Sequence, residues 1–212
     1  MGKHKRDEAE QPDDDSWEIE NERPEDVHEH PEEYWTPDAI LKLLKAKGQA
    51  RIQYKLATRA INAIAEHFPG FFEQDSEFPL ALDLGCGVGF TSDILIEAGL
   101  TTVGIDVLVD MLAMSGTRDA VTRNAKRARY HRVLASATML PFRGATFVLA
   151  ASISAMQWLK TPGEVHGLST ELSRTCIKHA CVSIQQYARS SDEMTSLGSA
   201  MKRAGFDGGI LI

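Results

Sequence analysis

One short stretch of the chain constrains its fold more than any other. Residues 80–84 form an apolar run that is typical of a buried strand, and the glycine-rich segment 85–89 follows it directly. Glycines at alternate positions permit a tight turn and leave backbone N–H groups open to a ligand. Residues 91–98 then have a helical pattern and residues 102–105 a strand pattern. The stretch therefore predicts an α/β unit with a ligand-binding loop after its first strand.

The same alternation of strand and helix continues along the rest of the chain. Two helices, with a break near Gly48, are predicted before the first strand. Further strands are predicted at residues 130–135, 147–154, 180–186 and 209–212, and further helices at 109–124, 164–174 and 192–204. This alternation predicts a doubly wound, mostly parallel sheet whose right-handed crossovers bring the carboxyl ends of the strands to one edge.

The net charge of −7 is unevenly distributed along the 212 residues. Residues 1–35 hold 14 acidic and four basic side chains, whereas residues 36–212 hold 16 acidic and 19 basic ones. Because residues 1–35 are rich in Asp, Glu, Pro and His and lack apolar periodicity, we predict a disordered acidic tail there. Residues 36–212, with a net charge of +3, are predicted to form one folded domain. The negative total therefore does not exclude an anionic partner.

Two clusters of basic residues stand out within that domain. Residues 39–65 contain no acid and six cations, which are Lys42, Lys45, Lys47, Arg51, Lys55 and Arg59. The second cluster, in which only Asp119 is acidic, consists of Arg118, Arg123, Lys126, Arg127, Arg129 and Arg132. A charged run is usually a solvated face, but a run of a single sign is also typical of a surface for an anionic partner.

Neither a membrane segment nor a disulfide framework is expected. No stretch approaches the ~20 apolar residues that a membrane helix needs, and no apolar signal core follows the N-terminus. The three cysteines, Cys86, Cys176 and Cys181, are an odd number without a CxxC pair, so the sequence also predicts no metal site. We expect a soluble protein of the cytoplasm, and also of the nucleus or nucleolus if the source is eukaryotic.

An acidic residue at the end of the next strand indicates which kind of ligand the glycine loop binds. Asp106 ends the second predicted strand, where a carboxylate in such folds accepts two ribose hydroxyls. The loop spacing is GxGxG, without the third glycine of a GxGxxG dinucleotide site, so an NAD site is less favoured. This combination resembles the Rossmann-like class I methyltransferases that use S-adenosylmethionine. The alternative is a tight strand-to-helix turn without a ligand.

The resemblance implies a set of cofactor-binding residues. They are Asp83, Gly85, Gly87, Gly89, Asp106, Ser136 and Ala137. The glycines would lie against the methionine moiety of S-adenosylmethionine and Asp106 would bind the ribose, while Asp83 would hold the loop or the cofactor's amino group. Many relatives have an acid near Ser136 that accepts from the adenine amino group. This chain lacks that acid, so a serine hydroxyl or backbone groups would bind adenine.

A third segment narrows the expected substrate. Residues 151–159, ASISAMQWL, resemble the SISAIQWL segment of the small-subunit ribosomal RNA guanine-N7 methyltransferases, and further similarities extend the resemblance to residues 34–212. The resemblance implies Ser154, Gln157 and Trp158 as catalytic residues. Trp158 would stack on an unpaired guanine, and Gln157 or Ser154 would bond its O6 or N2 edge. Alternatively, Gln157 and Trp158 form a capped strand end with a buried indole.

The chemistry of guanine N7 agrees with this set of side chains. Its lone pair is free at neutral pH, so alignment with the sulfonium methyl suffices and no general base is needed. The resemblance therefore implies methyl transfer to a guanine N7 of small-subunit rRNA, within ribosome biogenesis. Two alternatives stay open: a methyltransferase of the same fold for a small molecule, and a non-catalytic ribosome-assembly factor.

The family resemblance also implies a protein partner. Tyr130–Leu134 lies in the predicted edge strand of the sheet, and its free N–H and C=O groups can pair with a strand of another chain. A small zinc-binding activator protein would pair there. Alternatively, the charges of this strand only protect the edge from aggregation, and its arginines can equally contact RNA phosphates.

Overall fold

The computed structural model describes residues 22–73, 79–118 and 129–210. Five parallel strands form one sheet in the order β3-β2-β1-β4-β5. Their bounds are β1 Leu80–Leu84, β2 Thr101–Asp106, β3 Tyr130–Leu134, β4 Phe147–Ile153 and β5 Cys176–Gln185. The strand order reverses beside β1, which pairs with β2 on one side and β4 on the other. The doubly wound parallel sheet predicted from the sequence is therefore confirmed.

Helices cover both faces of this sheet. Within the described residues they are α1 Pro24–Val27, α2 Pro31–Tyr34, α3 Pro37–Lys45, α4 Lys47–His67, α5 Phe90–Glu97, α6 Val109–Arg118, α7 Pro162–Thr175 and α8 Ser191–Arg203. On one face, Ile61 of α4 and Leu95 of α5 pack in a core with Ala81 of β1. On the other face, Leu82 of β1 lies in a core with Leu168 of α7 and with side chains of α8. Neighbouring residues of β1 thus point to opposite faces of the sheet. Burial of each leucine side chain stabilises the folded state by roughly 1.5–3 kcal/mol.

Two predicted elements differ from the structure by more than two residues, and a third is described only in part. β5 begins at Cys176 because that residue pairs with Phe147 ahead of a register shift between β4 and β5. The helix predicted at 109–124 is α6 as far as Arg118, and residues 119–128 lie outside the described residues. Residues 209 and 210 have no strand structure, in contrast to the predicted strand 209–212, of which residues 211–212 are not described.

Part of the predicted tail is folded. Residues 22–35, here called the N-terminal strap, contain α1 and α2, each of which begins with a proline, a residue suited to a helix start because its missing N–H needs no partner. Arg23 donates to the backbone oxygen of Tyr187, and Asp26 forms an ion pair with Arg189. Glu25 is buried. The ordered chain therefore begins before residue 36, and residues 1–21 lie outside the described part.

β3 forms one edge of the described sheet and pairs there with β2, as predicted. Arg132 of this strand donates to the backbone oxygen of Leu112 at 2.7 Å and to the hydroxyl of Ser115 at 2.8 Å. Arg129 donates to the backbone oxygen of Gly99. Arg123, Lys126 and Arg127 of the second basic cluster lie outside the described residues. None of the described helices is long and apolar enough to cross a bilayer.

Candidate active site

A cleft of about 1010 Å³ lies at the carboxyl ends of β1 to β4. The strand order reverses there, which is the usual ligand position in an open α/β sheet. Eight of the ten predicted site residues line the cleft: Gly85, Gly87, Asp106, Ser136, Ala137, Ser154, Gln157 and Trp158. Asp83 and Gly89 do not line it. The fold thus brings together segments that are far apart in the sequence.

The glycine loop, residues 85–89, packs directly against the segment that follows β4. A Cβ atom on Gly85, whose φ is +65°, would lie 2.4 Å from the Cβ of Ala155. Glycine is therefore required at this position both by contact and by backbone conformation. Gly89, with a φ of +94°, precedes the first residue of α5 in the left-handed region. These positions fix the loop between the two sides of the cleft.

Asp106 ends β2 with its carboxylate beside the glycine loop. One carboxylate oxygen accepts the N–H of Gly87 at 2.8 Å, and the other accepts the N–H of Leu108 at 2.9 Å. The side chain is 8% exposed, and burial raises the pKa of Asp106 above its ordinary value, although the backbone hydrogen bonds act to lower it. Each oxygen keeps lone-pair capacity, so the carboxylate can also accept hydroxyl groups of a ligand.

Asp83 lies beneath the loop and not in the cleft. It is 1% exposed and accepts a hydrogen bond from the hydroxyl of Ser92 on α5. Burial raises the pKa of Asp83 to about 7, the Ser92 bond lowers it, and the nearby Asp106 carboxylate raises it further. Its other oxygen has no hydrogen-bond partner in the described part of the chain. Of the two predicted roles, this position favours holding the junction of loop and helix.

Ser154 follows β4 in an unusual backbone conformation. Its φ is +55°, in the left-handed region that residues other than glycine rarely adopt. The side-chain oxygen of Gln185, on β5, accepts the N–H of Ser154 at 3.1 Å and its hydroxyl at 3.0 Å. Gln53 of α4 donates to the same hydroxyl at 3.4 Å. Sequence reasoning misses Gln185 and Gln53, because only the strand register and the packing of α4 bring them to Ser154.

Gln157 and Trp158 belong to a 3₁₀ turn, Met156–Trp158, at the wall of the cleft. The side-chain nitrogen of Gln157 donates to the backbone oxygen of Ser154 at 3.0 Å. Its side-chain oxygen Oε1 is buried and has no partner among the residues that the structure describes. The Trp158 side chain is half-buried and lines the cleft. The turn therefore places an aromatic face and an unsatisfied amide oxygen at the wall of the cleft.

The hydroxyl of Ser136 is engaged in a local turn. It accepts the N–H of Thr138 at 3.2 Å and shares a hydrogen bond of 2.8 Å with the Thr138 hydroxyl. Ala137 is buried beside it. Both residues line the cleft, where the resemblance places adenine, but the Ser136 hydroxyl must be shared with Thr138 to bind a ligand.

The rim of the cleft carries charges of both signs. The N-terminal strap contributes acidic residues, α3 contributes Lys42, and Lys160 donates to the backbone oxygen of His28 in the strap. Sequence reasoning misses the strap as part of the site, because its composition is that of a solvated tail. Within residues 22–73, 79–118 and 129–210, no group of three or more His, Cys, Asp or Glu side chains is placed to hold a metal ion.

Several known proteins with similar sequences are named as 18S rRNA (guanine-N(7))-methyltransferases. Residues 82–182 match the model of a methyltransferase domain. The chain is 28% identical over 199 residues to the probable 18S rRNA (guanine-N(7))-methyltransferase of Dictyostelium discoideum, covering 90% of this chain and 64% of that protein. It is 26% identical over 192 residues to the 18S rRNA (guanine-N(7))-methyltransferase of Bos taurus, covering 86% and 63%. The chain thus spans less than two thirds of the length of these relatives.

A solved structure shows the same architecture. An N-methyltransferase of Haemonchus contortus, in complex with phosphomonomethylethanolamine and S-adenosylhomocysteine, has a TM-score of 0.62 and 18% identity. The match covers 81% of this chain and 42% of that one. At this identity the likeness concerns the fold alone. This chain therefore has the Rossmann-like class I methyltransferase fold and is similar in sequence to the 18S rRNA (guanine-N(7))-methyltransferases.

Proposed function

We propose that this chain transfers a methyl group from S-adenosylmethionine to N7 of a guanine in small-subunit rRNA, as a step of ribosome biogenesis. One observation carries the proposal: the segment with Gln157 and Trp158 contacts the glycine loop through Ala155, in a chain that is similar along nine tenths of its length to a relative named for this reaction. Such an activity belongs where small-subunit precursors are assembled, in the nucleolus and cytoplasm of a eukaryotic cell.

The residues on the cofactor side of the cleft fit S-adenosylmethionine. Asp106 has acceptor capacity for ribose hydroxyls, and the bare backbone at Gly85 and Gly87 allows close approach of a ligand. Ser136 and Ala137 would lie at the adenine. S-adenosylmethionine, when bound, supplies an electrophilic methyl group. Asp83 supports this side from below by fixing Ser92 at the start of α5.

The residues on the other side of the cleft fit a guanine base. The Trp158 ring offers a stacking surface, and the unpartnered Oε1 of Gln157 would accept a hydrogen bond from the N1–H or the N2 amino group. Ser154 acts here through its backbone, because Gln185 and Gln53 engage its hydroxyl. N7 needs no general base, so orienting the ring is the chief task of these residues.

We also propose that the open edge of β3 receives a partner strand from a small zinc-binding activator protein. The exposed residues His131, Arg132 and Leu134 lie on this edge, where unpaired backbone groups favour strand addition. Co-expression of the two proteins should yield a stable complex. The N–H of Ala135 bonds to Asp106 of β2, so the N–H of the preceding residue, Leu134, lies on the open side of the strand. A proline in place of Leu134 should weaken the complex if the edge is used, and equal recovery of the complex would contradict this placement.

Two variants test the proposed reaction. Asp106→Ala should abolish binding of S-adenosylmethionine in calorimetry, because the ribose acceptors are lost, whereas Asp110→Ala, an exposed acid on α6, should not. Trp158→Ala should lower methyl transfer to rRNA and leave cofactor binding unchanged, since losing one stacked base costs about 1–3 kcal/mol.

Each outcome separates the alternatives. Cofactor binding by Asp106→Ala would contradict the assigned site, and equal loss of binding and transfer in Trp158→Ala would mean that the indole is structural. The positions of N7-methylguanine in small-subunit rRNA should be mapped with and without this gene. An unchanged map with defective subunit assembly would instead favour a non-catalytic assembly factor. Transfer to a small molecule but not to rRNA would favour the small-molecule alternative.

A further inference from the structure

α4 carries a row of cations outside the cleft. Lys47, Arg51, Lys55 and Arg59 follow one another at four-residue steps, which places them along one face of the helix. All four are exposed, and they line a groove of about 620 Å³ along α4. We refer to these four residues as the α4 cation row. The row is the central part of the acid-free segment 39–65.

Most of the row lacks a counter-charge. Arg59 forms an ion pair of 2.8 Å with Glu66. In the described part of the chain, no carboxylate forms an ion pair with Lys47, Arg51 or Lys55. These three cations extend over about 12 Å of helix, at 1.5 Å per residue. An anionic partner would relieve their mutual repulsion, whereas a merely solvated face would not require a single sign of charge.

The row begins next to the cleft. Ala46 and Gln49, at the start of α4, line the cleft on either side of Lys47 in the sequence. Lys42 of α3 also lines it. The other lysine and arginine of the lining are engaged with the protein: Lys160 with the backbone oxygen of His28, and Arg23 with Glu25, Asp26 and the backbone oxygen of Tyr187. The available positive charge at the cleft therefore lies on the α3–α4 side.

Another part of the rim has the opposite sign. Glu25, Glu29 and Glu32 of the N-terminal strap line the cleft together with Glu164. A polyanion that enters the cleft is repelled by these carboxylates and attracted by the lysines and arginines of α3 and α4.

We propose that an RNA strand whose guanine occupies the cleft leaves it across α3 and α4, with its phosphates bound to Lys42 and the α4 cation row. This inference rests on the proposed function and adds to it the path of the RNA. Each phosphate neutralised by a cation releases a counterion, so binding of single-stranded RNA weakens with salt by a slope of about 0.7 per phosphate in a log–log plot.

The test is the salt dependence of RNA binding by the full chain. The probe is a fluorescein-labelled RNA of about 12 nucleotides, all uridines except one central guanine, followed by anisotropy between 50 and 200 mM KCl. The variant is Lys47→Gln/Arg51→Gln/Lys55→Gln, which should lower the slope by about 2 and weaken binding. The control is Lys178→Gln/Lys202→Gln/Arg203→Gln, which removes three charges from exposed positions of β5 and α8.

The control should keep the wild-type slope, and both triple variants should keep the wild-type affinity for S-adenosylmethionine, because these residues lie outside the cofactor side of the cleft. An equal change of slope in both variants, or no change in the first, would overturn the assigned path while leaving the proposed methyl transfer intact. Binding of a peptide of residues 7–20 by the wild type but not by the α4 variant, with RNA binding unchanged, would assign the row to the chain's own acidic segment instead. Absence of RNA binding by the wild type would overturn both proposals.

Discussion

At the scale of single residues, the buried carboxyl of Asp83 makes stability depend on pH. Burial raises its pKa from 3.8 to about 7, so between these values the folded chain holds a proton that the unfolded chain has lost. Its contribution to stability is therefore complete below about pH 4 and is lost as the pH rises through 7. We expect the free energy of unfolding to fall between pH 5 and pH 8 by about 2–3 kcal/mol more in the wild type than in Asp83→Asn.

Urea denaturation at several pH values measures this difference. Asp110→Asn is the matched control, because its exposed side chain should leave the wild-type pH dependence unchanged. Parallel pH profiles of the wild type and Asp83→Asn would show that this carboxyl does not titrate differently in the two states.

Single residues also show what a sequence can reveal about a site. Gly85 and Asp106 are predictable because the loop spacing and the strand end fix their places relative to one another. The side to which the Asp83 side chain points is less clearly indicated by the sequence. In a strand, Asp83 shares a face with Ala81, and Ala81 packs against α4 and α5. The contact of Gln185 with Ser154 has no such signal, since it depends on the register of two strands that are joined through a helix.

At the scale of elements, the end of β5 holds the end of β4 in place through Gln185 and Ser154. Gln185→Leu removes the side-chain acceptor of the Ser154 hydroxyl, whereas the Ser154 N–H keeps the backbone oxygen of Gln185 at 3.0 Å, so the protein should be destabilised by about 0.5–1.5 kcal/mol. Because Ser154 carries the turn with Gln157 and Trp158, kcat for methyl transfer should fall while affinity for S-adenosylmethionine stays unchanged. Gln185 is thus a positioning residue.

Two further variants make this prediction specific. Gln185→Glu retains an acceptor oxygen and should restore most of kcat, whereas Gln186→Leu, at the neighbouring position, should leave kcat and stability near the wild-type values. Equal loss of activity in Gln185→Glu and Gln185→Leu would argue against a role of the acceptor in placing Ser154.

The elements differ in how well the sequence predicts them. α5 and β1 follow from the apolar run and the glycines, since both signals are local. The early start of β5 does not, because the register shift opposite Phe147 is a property of the paired strands. The helices of the N-terminal strap could not be predicted, because its polar composition is typical of a disordered segment. The contacts of Arg23 and Asp26 with residues 187 and 189 hold this segment against the domain.

At the scale of the whole molecule, the cleft draws residues from both halves of the sheet, so a bound cofactor should stabilise the entire domain. At 100 times its Kd, S-adenosylmethionine should add about 2.7 kcal/mol and raise Tm by roughly 5–10 °C. Thermal unfolding with and without the cofactor measures the shift. Asp106→Ala should show no shift, and a shift confined to one of two separate transitions would mean that the halves unfold independently.

The strand order also determines when each part of the cleft can form during synthesis. β1, β2 and β3 pair on one side of the sheet, whereas β4 and β5 join on the other side of β1. Once residue 134 has left the ribosome, β1, β2 and β3 can pair with one another, so the glycine loop and Asp106 lack only the neighbouring strand β4. Ser154 has to wait for residue 185, so we expect the substrate side of the cleft to be the last part of the nascent chain to take shape.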